Sequence, residues 1–147
     1  MCIKLVRALL LSLLLGSGSA WAMPLQEAIN SDNRQAKNVA RDQLRHPLQV
    51  LKFFDVKPSM SIVEIWPSTG WWTEILGPYT KGEGIYYAAG FSMTAQRTPD
   101  WRKEVQVGFT NMLAAGPDYY SHIVATELSI PERTTMAPPG SVDRVLT

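Results

Sequence analysis

The apolar residues of this chain fall into short continuous runs separated by stretches with helical spacing. The runs at 62–66, 85–89, 122–126 and 142–147 are bounded by turn-forming or polar residues, which favours strands. Helical spacing is found at 31–45, 48–54 and 71–79, and within 99–115. Strands that alternate with helices are typical of an α/β fold with a parallel sheet.

The buried side of the predicted helices follows from the same spacing. Ser31 or Asp32 caps the first helix, and Pro47 stands at the first position of the second. The residues that we expect to pack on the core are Leu48, Leu51 and Phe54 in the second helix, and Trp72, Ile75 and Leu76 in the third. No repeat or low-complexity linker follows residue 22, so we predict a helical segment at 23–60 and a Rossmann-like part at 61–147.

The first 22 residues have the features of a signal peptide. Lys4 and Arg7 precede an eight-residue apolar core at 8–15, and residues 20–22 form the Ala-Trp-Ala cleavage signal. A membrane anchor is the alternative, but a bilayer span takes about 20 residues. Cys2 precedes the apolar core, which does not fit a lipoprotein. We therefore predict an exported protein, periplasmic or secreted, with no stable membrane anchor after cleavage.

Charge and cysteine content narrow the range of functions. The chain has a formal net charge of +1, and cleavage after residue 22 leaves 12 basic and 13 acidic residues. Nucleic-acid-binding proteins normally have a basic excess, so no nucleic-acid partner is expected. The single cysteine, Cys2, leaves with the signal, which excludes disulfides, thiolate zinc sites and cysteine nucleophiles. His46 and His122 are not at metal-ligand spacing, so no metal is predicted.

The segment 62–76, IVEIWPSTGWWTEIL, is the most informative part of the sequence. Glu64 places a carboxylate inside an apolar strand, which is costly unless another group pairs with it. A sharp bend at 66–70 leads into a helix, so backbone N–H groups point towards the strand end. Ligands of parallel sheets bind outside the carboxyl ends of the strands, which are here 66–70, 90–93 and 127–130.

With these residues the chain resembles the class I S-adenosylmethionine-dependent methyltransferases. It is most similar to an exported branch of predicted methyltransferases with a V-E-I-W-P-x-x-G-W-Y/W-T-E-I-L motif. Arg45-His46-Pro47, the FFDVKP segment at 53–58 and the closing SVDRVLT also match that branch. The resemblance covers about 32–147 and implies a Rossmann-like three-layer sandwich with a mostly parallel sheet.

The resemblance also implies where S-adenosylmethionine would bind. In the general pattern an acidic residue ends the first strand, here Glu64, and the glycines of a following G-x-G-x-G loop fall on Trp66, Ser68 and Gly70. Trp66 is expected within the exported branch, whereas Ser68 stands where that branch has glycine. Gly90 replaces the acidic residue that usually holds the ribose. The implied cofactor-binding residues are Glu64, Trp66, Ser68, Thr69, Gly70, Gly90 and Glu127.

Several of these candidates have simpler structural explanations. Glu127 either contacts an adenine amino group or is a solvated loop residue. The tryptophans at 66, 71 and 72 either stack on a flat ligand or, as is commoner at a strand–helix corner, belong to the core. His46 is either a base or a helix-boundary residue bonded to the backbone, and His122 is expected to be partly buried. No G-x-S-x-G elbow supports a hydrolase.

Three functional hypotheses follow, of which the first two belong to different classes. The first is an exported S-adenosylmethionine-dependent methyltransferase-like protein whose catalytic residues and methyl acceptor the sequence does not specify. Because only four of the strands that the resemblance implies are predicted, we expect a C-terminally truncated N-terminal half of the fold that binds its cofactor weakly. The second is a non-catalytic exported α/β binding module. A third is a structural partner that associates through an exposed sheet edge.

Overall fold

A computed structural model describes residues 22–147, and the predicted signal peptide lies outside these residues except for Ala22. Four parallel strands form the sheet: β1 (Ser61–Ile65), β2 (Ile85–Gly90), β3 (Val124–Glu127) and β4 (Arg144–Leu146). Their order is β3-β2-β1-β4, so the chain moves outwards from β1 to β3 and returns to the other side of β1 for β4. The arrangement is Rossmann-like, and the predicted α/β fold is confirmed.

The helices of the described part precede β1 or connect the strands. Before β1 lie α1 (Leu25–Ile29), α2 (Ala36–Val39), α3 (Asp42–Arg45) and α4 (Pro47–Phe53). Between β1 and β2 lies α5 (Thr73–Thr80), and between β2 and β3 lie α6 (Asp100–Ala115) and α7 (Pro117–Tyr120). The segment 128–143, which contains no helix, connects β3 to β4.

One face of the sheet, which we call the helix face, packs against α1, α4 and α5. Ile62 and Tyr86 point to this face from neighbouring strands and are completely buried, as are Leu51 of α4 and Leu76 of α5. The expected core sides of these two helices are thereby confirmed. The expectation for Phe54 is wrong, because α4 ends at Phe53 and the Phe54 side chain lies beyond it, about half exposed.

The opposite face, which we call the open face, has a smaller apolar cluster. Val63 and Tyr87 form its centre, together with Ala89 and Leu128. It is covered by partly buried residues of the 128–143 segment, namely Met136, Ala137 and Val142. The open face is therefore closed by irregular chain where the helix face is closed by helices.

The helix predicted at 31–45 forms as two short helices, so its predicted extent is wrong. The interruption lies between α2 and α3, at residues 40–41. The Asn38 carbonyl accepts hydrogen bonds from the Arg41 N–H and from the Trp71 indole, both at 3.0 Å. Since the Arg41 bond spans three residues, it tightens the chain into a turn and ends α2.

Candidate functional site

The bend between β1 and α5 has an unusual backbone. Trp66, Ser68 and Gly70 all have positive φ values, of 50°, 54° and 77°. These are the positions that align with the three glycines of the methyltransferase pattern. The left-handed region is readily accessible to glycine and uncommon for other residues. The bend therefore has a glycine-type backbone at each of these positions although only Gly70 is a glycine.

Backbone hydrogen bonds and Asn38 hold the bend in place. The Trp66 N–H donates to the Ala89 carbonyl at 2.9 Å, and the Gly70 N–H donates to the Pro67 carbonyl at 2.8 Å. The Asn38 amide donates to the Thr69 carbonyl at 3.1 Å and accepts from the Thr69 hydroxyl at 3.0 Å. The Thr69 side chain is thus used to fix the bend to α2.

Glu64 is buried on the helix face, where it is 3% exposed. Its Oε2 atom accepts hydrogen bonds from the Thr73 hydroxyl and, at 2.7 Å, from the Tyr86 hydroxyl. Burial raises the pKa of Glu64 from its usual 4.5 to about 7, against the opposing effect of these two hydrogen bonds. The carboxylate that sequence reasoning assigned to the cofactor therefore joins β1, β2 and α5 inside the core.

Residues 71–74, with the sequence WWTE, bind the N-terminal helical segment through the side chains of Trp71 and Glu74. Arg34 binds both carboxylate oxygens of Asp42, at 2.6 and 2.9 Å, and the Trp71 indole donates to Asp42 Oδ1 at 2.9 Å. The backbone and side-chain N–H groups of Gln35 both donate to Glu74 Oε1, at 3.2 and 2.9 Å. Trp71 and Trp72 are buried, so their structural interpretation is the one that the packing supports.

The space over the carboxyl ends of β1 and β2 is occupied by side chains. The Trp66 ring stacks on Phe91 with a centroid distance of 5.5 Å, and its indole N–H donates to the Leu128 carbonyl at 3.0 Å. The Arg102 guanidinium lies over both rings, at 5.3 and 5.0 Å from their centroids. Trp66 is more exposed than Trp71 and Trp72 but is likewise held in one orientation.

Two glycines of the site are approached closely by side chains of α6. A Cβ atom added at Gly90 would overlap Gln106 Oε1, and one added at Gly70 would overlap Met112 Sδ. Gln106 Oε1 accepts a hydrogen bond from the Phe91 N–H at 2.9 Å. The Gln106 amide therefore occupies the space that a side chain at position 90 would need, and the Met112 thioether fills the space beside Gly70.

Glu127 follows these residues on the neighbouring strand and pairs in register with Gly90. Its Oε2 atom lies 3.5 Å from Arg133 Nε, and both side chains are substantially exposed. Because exposed ion pairs contribute little to stability, this pair leaves Glu127 free to exchange partners. The structure brings it to the same edge of the sheet as the bend.

A groove of about 730 Å³ opens beside the bend. Ser68 and Thr69 lie at one side of it, and Asn33, Gln35 and Lys37 add polar groups from the N-terminal segment. The apolar wall comes mainly from α6 and α7, through Val105, Phe109, Met112, Ala115, Tyr119 and Tyr120. Among the predicted site residues, only Ser68 and Thr69 line this groove.

Neither histidine lines the groove. His46 is exposed at the junction of α3 and α4, where it adopts a left-handed conformation with a φ of 46°. His122 is half-buried, and burial lowers its pKa. Within residues 22–147 no group of three His, Cys, Asp or Glu side chains could share a metal ion. No helix in that range is long and apolar enough to cross a membrane.

Sequence reasoning missed Asn38, Gln106, Met112 and Arg102. Asn38 stands on a helical stretch with no motif around it, and the other three belong to α6, where only Phe109 is buried. The apolar spacing of α6 therefore does not reveal which side of the helix faces the strand ends.

None of the protein-family models, curated proteins or solved structures compared with the chain matches it.

Proposed function

We propose that this chain is a methyltransferase-like protein that binds a nucleoside of the S-adenosylmethionine class at the bend after β1. The observation that carries this proposal is the left-handed backbone at Trp66, Ser68 and Gly70. A non-glycine residue in this conformation costs on the order of 1–2 kcal/mol. Two such residues within three positions of a bend support a ligand-binding role, because strained backbone conformations cluster at functional sites.

The groove beside the bend supplies the space for such a ligand. Its volume of about 730 Å³ is within the range of roughly 300–1,000 Å³ that is usual for small-molecule pockets. The wall of α6 and α7 residues is apolar and aromatic, which suits a flat base. Asn33, Gln35 and Ser68 add polar groups to the lining that can bind hydroxyl or amino groups, although the Asn33 side-chain N–H already donates to the Tyr120 hydroxyl at 2.7 Å.

The residues over the end of β2 do not fit the ribose in the way that the family resemblance implies. Gln106 presents an amide in place of a carboxylate, and Met112 occupies the space beside Gly70. Glu64, the other implied contact, is enclosed by Thr73 and Tyr86. We therefore propose nucleoside binding through the bend and the groove, and derive no methyl-transfer step from these residues.

The second hypothesis, a non-catalytic exported binding module, is favoured by the same filled strand ends. The Trp66–Phe91–Arg102 stack fills part of the space over the carboxyl ends of the strands, where parallel sheets bind their ligands. On this hypothesis the groove binds a nucleoside that is not consumed. Incubation with S-adenosylmethionine would then yield a bound ligand and no S-adenosylhomocysteine.

Titration calorimetry with S-adenosylmethionine, S-adenosylhomocysteine and adenosine tests the proposed site. Gly108 lines the groove, and a Cβ atom added there would meet no other atom within 4 Å. Gly108→Leu therefore puts an apolar side chain into the groove, and leucine is a better helix former than glycine. We expect weak saturable binding by the unmodified chain and a loss of roughly ten-fold or more in Gly108→Leu, about 1.4 kcal/mol.

Thr110→Leu is the matched control, because Thr110 is exposed on α6 and does not line the groove. It should bind all three compounds as the unmodified chain does. Failure of the unmodified chain to bind any of them would contradict the proposed function. Unchanged binding by Gly108→Leu would place the ligand outside the groove.

A further inference from the structure

A second, smaller cleft lies over the carboxyl ends of the strands, beside Trp66. Its volume is about 120 Å³, and Trp66, Arg97, Thr98, Arg102, Ser129 and Glu132 contribute to its walls. This volume is well below the roughly 300 Å³ at which small-molecule pockets begin. The cleft therefore has room for one polar group of a ligand and not for a whole nucleoside.

Arg102 is the fixed cation of this cleft. Its guanidinium lies over Trp66, Phe91 and Trp101, at 5.3, 5.0 and 5.1 Å from the ring centroids. Contacts with three aromatic rings restrict the rotamers of a side chain that is otherwise flexible. A charged group that is already oriented loses less conformational entropy when it binds a partner.

The charge of Arg102 has no carboxylate partner within the described residues. Neither Arg102 nor Arg97 lies within 4.0 Å of an acidic oxygen there, and the buried Nε atom of Arg102 has no acceptor. Glu132 also lines the cleft, but its Oε2 atom accepts a hydrogen bond from the Gln96 N–H at 3.1 Å. The cleft is thus lined by two cations, Arg97 and Arg102, and by one carboxylate, Glu132, which already accepts a hydrogen bond from the backbone.

Two hydroxyl groups complete the cleft. Ser129 Oγ accepts a hydrogen bond from the Ser92 N–H at 3.1 Å, so its own proton is available to a further acceptor. The Thr98 hydroxyl lies 3.5 Å from Ser129 Oγ and lines the same cleft. A guanidinium and two hydroxyl donors form a set that suits an oxyanion, because all three donate hydrogen bonds.

We propose that this cleft binds one oxyanion, the carboxylate or phosphate group of a small ligand, on Arg102 with the Thr98 and Ser129 hydroxyls. The position at the carboxyl ends of β1 and β3 is the one at which Rossmann-like sheets bind their ligands. Arginine pairs with carboxylate and phosphate through two parallel N–H bonds, which favours a planar or tetrahedral oxyanion over chloride. The site is independent of the groove beside the bend.

Nuclear magnetic resonance titrations of the chain with sodium phosphate and with sodium acetate, at constant ionic strength, test this site. The indole N–H signals of Trp66 and Trp101 report on it, because both rings contact the guanidinium. We expect saturable shifts of these signals and binding weaker by roughly ten-fold or more in Arg102→Gln, which loses a charged hydrogen bond. Tighter binding of phosphate identifies a phosphate ester as ligand, and tighter binding of acetate identifies a carboxylate.

Lys103→Gln is the matched control on the same helix. It removes the same charge, but Lys103 pairs with Asp100 at 3.3 Å and does not line the cleft. Arg102→Lys is a second variant that keeps the charge without the planar fork; it should bind with intermediate affinity.

Absence of saturable shifts with both ions, or equal binding by Arg102→Gln and the unmodified chain, would overturn the proposal. So would equal losses in Arg102→Gln and Lys103→Gln, because a general charge effect would explain them. Adenosine carries no anion, so its titration reports on the groove alone and separates failure of one site from failure of the other.

Discussion

The two faces of the sheet differ in how completely they are covered. On the helix face, Ile62 and Tyr86 are wholly buried beneath α1, α4 and α5. On the open face, Val63 and Tyr87 lie on the two central strands and are buried. Their partners on the outer strands are exposed: Val145, beside Val63, by 56%, and Val124, beside Tyr87, by 41%. The same four strands thus have a full core on one side and a narrow one on the other.

This difference between the two faces also applies to the hydrogen bonds that hold the bend at 66–70. Its polar contacts run to the helix-face side of the molecule, through Asn38 to α2 and, at the end of β1, through Glu64 to Thr73. From the open face, within residues 22–147, the side-chain hydrogen bond to the bend is the one from the Trp66 indole to the Leu128 carbonyl. A binding site built on rigid elements keeps its geometry better than one built on loops, so the helix face is the scaffold of the site.

The largest effect is expected from a cavity on the helix face. Leu76 of α5 is completely buried in the apolar cluster of the helix face. Leu76→Ala should lower the free energy of unfolding by about 4 kcal/mol. Leu128→Ala is the matched substitution on the open face, where the irregular 128–143 segment can relax into the cavity. We expect a loss of about 2 kcal/mol there. Urea denaturation measures both values.

Equal losses in the two variants would contradict the description of the open face as the weaker side. A larger loss in Leu128→Ala would reverse it. The slope of the free energy against urea concentration should be unchanged in both variants, since a changed slope would indicate an altered unfolded or native state.

Much of this architecture could be predicted from the sequence. The apolar runs at 62–66 and 85–89 identified the two central strands because strands buried on both faces form nearly continuous apolar sequences. The outer strands are shorter than predicted, since β3 begins at Val124 and β4 spans only Arg144–Leu146. Residues of the outer strands are partly exposed, so they need not be apolar. The ends of these strands are therefore harder to predict from the apolar pattern.

The site was harder to predict than the fold. Sequence reasoning found that Glu64 needs a partner, but Thr73 and Tyr86 are 9 and 22 residues away and carry no motif that marks them as partners. The left-handed conformation of Ser68 could not be read from its identity. The positions of Gln106 and Met112 depend on the rotation of α6, which a helix with one buried residue does not reveal.

A smaller effect, and one that depends on pH, is expected at Glu64 on the helix face. Its pKa is about 7 in the folded protein and about 4.5 in the unfolded chain, so the folded state binds more protons between these values. The contribution of the neutral Glu64 carboxyl to the free energy of unfolding is fully present below about pH 4.5 and is lost as the pH rises through about 7. We expect the free energy of unfolding to fall by roughly 2–3 kcal/mol from pH 5 to pH 8 through this group.

Glu64→Gln removes the titration and should reduce that fall, which urea denaturation at pH 5 and pH 8 measures. Glu83→Gln, on the exposed turn before β2, is the control and should keep the full fall. The same dependence on pH in Glu64→Gln and in the unmodified chain would show that the carboxyl is charged at both pH values or that water reaches it.

The smallest effect is expected from a polar substitution on the open face. Val145 lies in β4, directly beside Val63, and is 56% exposed. Val145→Thr keeps the β-branched shape, so we expect a change of less than about 0.5 kcal/mol in the free energy of unfolding. A loss above about 1 kcal/mol would mean that this side chain is buried in solution. If the loss also grew with protein concentration, a second copy of the chain would be the group that covers the open face.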